Sequence, residues 1–223
     1  MTAYPEIPVL GGHPLAVNKI ICIGRNYEDH IREMGNDPAR KAPVFFFKPH
    51  SALNTSGQLV YPDFTQDLHH EVELVVAVTA AGYRVDKTQA EAMVGGFAVG
   101  LDMTCRDLQK QAKADGGPWE LSKAFDGSAP CSSIQPGSHR DLATFGELQL
   151  TRNGKIVQQG NISQMIWPVS ELIQRLSHYV QLQPGDLIFT GTPAGVGPVA
   201  IGDQLVATLE GLVPRLEILI SKQ

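Results

Sequence analysis

The chain's 223 residues are 43% apolar and 18% charged, with a net charge of −5. That balance belongs to a globular chain with a sizeable core, of a length suited to one large domain. The acidic balance and the lack of any basic run argue against nucleic acid or an anionic membrane as the main partner.

Residues 1–17 form an N-terminal arm, in which two short apolar stretches flank Gly11-Gly12 like a hairpin. Residues 19–24 read as a strand running into Arg25-Asn26-Tyr27. Residues 28–34 predict a short helix closed by Gly35. On that helix His30 and Glu33 are three apart and share a face. Such a pair is either an incidental feature of a solvated face or a carboxylate that fixes an imidazole's tautomer and raises its basicity. The polar stretch 36–41 that follows makes residues 26–41 a candidate lid. Residues 43–49 read as a strand ending in Lys48, a cation that either is exposed or faces a site.

Residues 69–78 read as one β-strand, rich in valine and interrupted by two acids. Glu71 and Glu73 point the same way, while Val72, Leu74, Val76 and Val78 take the opposite face as core. The acidic face continues with Val75 and Ala77, so burial of both faces is expected. Surface charge on an edge strand is the alternative. Buried like charges repel, and a cation between them removes the cost. Asp86 with Gln89 forms a capping box for the next helix, which Gly95 is expected to close. Residues 95–102 return as a strand ending in a third carboxylate, Asp102. A parallel pairing with a right-handed crossover is expected between these two strands. Three carboxylates without a cysteine cluster suit Mg²⁺ or Mn²⁺ with positions left open.

Thr104 is read as the cap of a helix over 105–113 that ends at Gly116-Gly117-Pro118. Arg106 and Gln109, near its start and close to Asp102, either address an anionic ligand or form a solvated first turn. Further on, Asn153-Gly154 predicts a type I′ turn between strands 148–152 and 155–159. Residues 168–179 are amphipathic and helical, 187–190 form a strand, and 191–198 form a glycine-rich loop. The last strands are 204–209 and 214–220. The loop fits neither GxxxxGK[ST] nor GxGxxG, so a nucleotide site is excluded. Cys22, Cys105 and Cys131 form no CxxC pair, which argues against a disulfide framework or zinc knuckle. No signal-peptide pattern and no apolar run of membrane-span length is present, so a cytoplasmic protein is expected.

Several motifs converge. They are Gly24-Arg25-Asn26-Tyr27 with His30 and Glu33, Phe47-Lys48-Pro49, and His69-His70-Glu71-Val72-Glu73-Leu74. With them stand Gly100-Leu101-Asp102-Met103-Thr104 with Arg106-Asp107, Lys123-Ala124-Phe125-Asp126, and Thr190-Gly191-Thr192-Pro193 with Gly195-Val196-Gly197. Over nearly its whole length the chain resembles the fumarylacetoacetate hydrolase family, in particular its short acylpyruvase members. The resemblance implies an α+β fold, a mixed β-sheet roll with a few short peripheral helices, as one catalytic domain over 1–223. It also implies a homodimer and Mg²⁺ or Mn²⁺ held by Glu71, Glu73 and Asp102. The implied activity is cleavage of acylpyruvates to pyruvate and a carboxylic acid. In that chemistry His30 is the base, Glu33 its orienter and Lys123 the enolate stabiliser, while Arg25, Arg106, Gln109 and Thr192 hold the small 2-oxo acid. Oxaloacetate decarboxylation or keto–enol tautomerisation at the same site is the alternative, and a non-catalytic metal-stabilised binding protein a remote one.

Overall fold

The computed structural model describes residues 4–35 and 42–222. Every side chain of the Val72–Val78 strand is buried, and its two faces serve two cores. Val72, Leu74, Val76 and Val78 enter one, and Val75 and Ala77 enter the other, as the two-residue period of a strand requires. The strand lies inside a six-stranded mixed sheet. Its order is Gln135–Pro136, Val94–Leu101, Val72–Val78, Leu187–Phe189, Ile20–Gly24 and Val44–Lys48, with one parallel pair between Leu187–Phe189 and Ile20–Gly24. The first core joins this sheet to a five-stranded one that contains the Glu147–Arg152 and Lys155–Asn161 hairpin, turned by Asn153-Gly154 as expected. The helices are short: α1 (Glu28–Glu33), α2 (Lys87–Ala92), α3 (Arg106–Asp115), α4 (Glu120–Lys123) and α5 (Val169–Leu176). This is the expected α+β class. Among the described residues no helix is long and apolar enough to cross a membrane.

Three local expectations are corrected. The acidic strand is not continuous. Leu68–His70 belongs to a small three-stranded sheet and Val72–Val78 to the large one, so the chain changes sheets at Glu71. The pairing of Val72–Val78 with Val94–Leu101 is antiparallel, with Val72 opposite Leu101 and Glu73 opposite Gly100. Helix α2 is not laid across the sheet as a crossover but packs on α5, which lets the chain double back. Gly95 is not a helix cap. The cap is Met93, and Gly95 lies within the returning strand.

Asn26 ties the start of α1 to the sheet. Its fully buried amide donates to Thr190 O (2.7 Å) and Trp167 O (3.2 Å), and its carbonyl accepts from Trp167 N at 2.8 Å. Residues 36–41 of the expected lid lie outside the described residues. The described part of that segment is docked against the body by these bonds. Asn26→Ala leaves several buried polar groups unpaired, at about 1–3 kcal/mol each. In a domain of this size each kcal/mol lowers Tm by roughly 2–4 °C, so calorimetry should show a clear drop. An unchanged Tm would mean that Asn26 is no clamp.

Candidate metal centre and active site

The sheet change at Glu71 and the antiparallel return bring the three acids together. Asp102 directly follows Leu101, which lies opposite Val72, and its N–H donates to Glu71 O at 2.9 Å. Glu71, Glu73 and Asp102 each offer a carboxylate oxygen within 4.8 Å of the others, and all three are buried. A parallel pairing would have carried Asp102 to the far end of the neighbouring strand.

Cations answer most of this charge. Lys123 Nζ donates to Asp102 Oδ2 (2.6 Å), Glu71 Oε2 (2.9 Å) and Thr104 Oγ1 (2.6 Å). Arg106 Nη2 donates to Glu71 Oε1, while its Nη1 bonds Gln109 Oε1 at 2.6 Å. Lys48, only 2% exposed, places Nζ 2.9 Å from Asp102 Oδ1. Burial by itself would raise the Glu71 pKa, but Lys123 and Arg106 outweigh it and hold the group well below the usual carboxylate range. Burial would likewise lower Lys123, yet Asp102 and Glu71 raise it, so its ammonium persists. Glu73 differs. Among the described residues its Oε2 accepts only the Gly191 amide, at 2.7 Å, and burial, Asp102 and Glu71 push its pKa well up. Asp102 Oδ1 also lacks a hydrogen bond among the described residues, although Lys48 lies close to it. Underserved oxygens in an all-carboxylate set fit a hard divalent cation such as Mg²⁺ or Mn²⁺.

The residues expected around the acids converge on the same cavity. Arg25, His30, Arg106, Gln109, Lys123 and Thr192 all line it with the three carboxylates. Arg25 holds φ at +65°, a left-handed conformation that a non-glycine residue adopts only when its surroundings impose it. His30 Nδ1 lies 3.3 Å from Glu33 Oε2, so the helix pair is a formed contact. Glu33 is in turn held by the Gly195 amide, at 3.0 and 3.2 Å from its two oxygens.

Several functional residues carried no clear signal in the sequence. Lys48, left open by the sequence between exposure and the site, ends an edge strand of the large sheet yet is buried with its ammonium against Asp102. Gly191 and Gly195 serve different partners from one loop, the first a carboxylate of the cluster and the second the histidine pair. Both have positive φ, +103° and +99°, and a Cβ on Gly191 would meet Asn26 Cβ at 2.7 Å. Thr104 is not a helix cap. Cys105 precedes α3, and the Thr104 hydroxyl is spent on Lys123 and Asp102 O. Gln158, fully buried, accepts from Val72 N (3.0 Å) and donates to Thr192 Oγ1 (2.9 Å), fixing that hydroxyl at the site.

A mixed-sheet fold that gathers three buried acids, buried cations and the His30–Glu33 contact around one cavity defines a candidate metal-binding site. The chain belongs to the fumarylacetoacetate hydrolase family, whose "Fumarylacetoacetate (FAA) hydrolase C-terminal" model matches residues 19–216. It is 41% identical over 195 residues to oxaloacetate tautomerase FAHD1, mitochondrial, of Homo sapiens, covering 87% of this chain and 88% of that one. It is 42% identical over 197 residues to oxaloacetate decarboxylase, mitochondrial, of Dictyostelium discoideum, covering 87% and 89%. Among solved structures, fumarylpyruvate hydrolase from Pseudomonas aeruginosa in complex with Mn²⁺ and pyruvate superposes with a TM-score of 0.95. That match is at 40% identity and covers 100% of this chain and 98% of the other.

Glu73→Gln tests the cluster. The amide keeps the shape and an acceptor for Gly191 N–H but removes one anionic ligand. Calorimetric Mg²⁺ affinity should fall by more than the roughly 10–100-fold that loss of an outer partner costs. Because the substitution relieves repulsion from Asp102 and Glu71, the metal-free Tm should not fall. Unchanged affinity would rule Glu73 out as a ligand.

Proposed function

We propose that this chain is a divalent-metal-dependent hydrolase of acylpyruvates that cleaves the C3–C4 bond to give pyruvate and a carboxylic acid. One observation carries the reading: the His30–Glu33 pair opens onto the same cavity as the three carboxylates and Lys123. Hydrolysis needs an activated water as well as enolate stabilisation, and this arrangement offers groups for both. The likeness to a fumarylpyruvate hydrolase crystallised with Mn²⁺ and pyruvate supports it.

Mg²⁺ or Mn²⁺ held by Glu71, Glu73 and Asp102 would serve as a Lewis acid toward the oxo acid's carboxylate and C2 carbonyl oxygens. Arg25, Arg106, Gln109 and Thr192 bind and orient the substrate's oxygens. Glu33 occupies His30 Nδ1, which leaves Nε2 to take a proton from water. The resulting hydroxide attacks the C4 carbonyl, and the C3–C4 bond breaks with release of the carboxylic acid. Its electron pair delocalises onto the C2 oxygen, and the proton held by His30 is returned to C3 to give pyruvate. Lys123, kept protonated by Asp102 and Glu71, supplies positive charge beside the oxygen where that negative charge develops.

A second reading rests on the relatives named for oxaloacetate chemistry. Loss of CO₂ from oxaloacetate leaves the same pyruvate enolate and requires no activated water, so one cavity accommodates both reactions. The homodimer that the family resemblance implies is part of the proposal, and sedimentation of the purified chain tests it.

His30→Ala separates the two reactions. Loss of a general base typically costs about 10²–10⁴-fold in rate, and acylpyruvate hydrolysis should fall by that factor. Oxaloacetate decarboxylation should fall far less. Lys123→Ala should damage both, with circular dichroism confirming that the variant still folds. If His30→Ala depresses both reactions equally while substrate binding is intact, His30 is not the base.

A further inference from the structure

Helix α3 carries three polar side chains on one face toward the cavity. Arg106, Gln109 and Lys113 are spaced three and four residues apart, and all line the same cavity as the metal-binding acids. The first two are buried; Lys113 is solvent-facing at the outer end. Lys113 lies seven helical steps beyond Arg106, a rise of about 10 Å. The Lys113 ammonium lies 5.4 Å from the centroid of the Trp119 ring, which also lines the cavity, so a cation–π contact holds it at the mouth. Arg25 and Arg106 line the same cavity, and partial burial together with these two charges lowers the Lys113 pKa. Among the described residues neither Lys113 nor Arg25 forms an ion pair with a carboxylate. At the floor, cations pair with Glu71 and Asp102, whereas at the mouth the positive charge of Lys113 and Arg25 meets no carboxylate among the described residues.

Building on the acylpyruvate reading, we propose that Lys113 receives a second, distal carboxylate on the acyl group and thereby selects dicarboxylic acylpyruvates over short neutral ones. An oxo acid anchored at the floor by its first two carbons would direct its tail along α3, past Trp119, to this ammonium. The rival course runs behind Phe46 and Trp119 into an adjoining pocket of about 270 Å³, walled by Phe45, Phe47 and Pro118. That course would favour an uncharged, apolar acyl group.

The test uses Lys113→Met, which keeps the aliphatic stem over Trp119, with Lys113→Arg as the conservative control. Steady-state rates on the Mn²⁺-loaded protein compare fumarylpyruvate, which has a distal carboxylate, with acetylpyruvate, which has none. A charge-assisted contact of this kind should make the ratio of kcat/KM for the two fall by about 10–100-fold in Lys113→Met, mainly through KM. Lys113→Arg should restore most of it. Calorimetry supplies a readout without turnover: 2-oxopimelate should bind the wild type more tightly than 2-oxoheptanoate, and Lys113→Met should abolish the difference. A ratio unchanged in the variant, or both substrates falling in parallel, overturns the assignment. So does tighter binding of 2-oxoheptanoate, which would place the tail in the apolar pocket. If the wild type hydrolyses neither acylpyruvate yet prefers 2-oxopimelate through Lys113, the hydrolase reading fails and the carboxylate subsite stands.

Discussion

Keeping Glu71, Glu73 and Asp102 out of water, with oxygens within 4.8 Å of one another, is the constraint that shapes this molecule. Each buried charge costs several kcal/mol unless matched, and three like charges together cost more than their sum. The fold meets that cost from several directions. Lys48 arrives at Asp102 from an edge strand of the large sheet, Arg106 at Glu71 from α3, and Lys123 at both acids from α4. Glu73 is left to a neutral amide, and the elevated pKa there marks where further positive charge is wanted. A divalent ion supplies it. The local arrangement thus reads as a charge balance completed by a cation rather than as a set of independent salt bridges.

The glycine-rich loop joins this balance to the proton chemistry. Gly191 N holds Glu73 and Gly195 N holds Glu33, so one short segment positions a metal-site carboxylate and the partner of His30. Gln158 adds a third link, running from Val72 N at the acidic strand to Thr192 in the same loop. Precision of this kind matters because misplacement of reacting groups by about 1 Å is enough to cost roughly 10²-fold in rate. A loop built from glycines can approach the acids and Asn26 closely where any side chain would collide.

The legible features were local ones. Glu71 and Glu73 do converge on one site, although Glu71 sits at the sheet change rather than within one strand. The Asp86–Gln89 box follows from capping chemistry and the 153–154 turn from its Asn-Gly pair. The contact between His30 and Glu33 follows from helical spacing. What could not be read was set by distant parts of the chain. Whether the returning strand ran parallel or antiparallel depended on α2 finding α5, about eighty residues later. Lys48 was obscured because a lysine is almost never fully buried without a partner, and its partner lies fifty-four residues away. The break at Glu71 carries no local mark, because no proline or glycine separates Leu68-His69-His70 from the valine-rich run Val72–Val78.

The central claim is that the three carboxylates jointly hold one divalent ion. Anomalous diffraction from crystals grown with Mn²⁺ tests it most directly. The account predicts a single strong peak within roughly 2–2.5 Å of an oxygen from each of Glu71, Glu73 and Asp102. A peak elsewhere with these three left bare, for instance in the cleft lined by Glu28, Asp29 and Glu147, would contradict it.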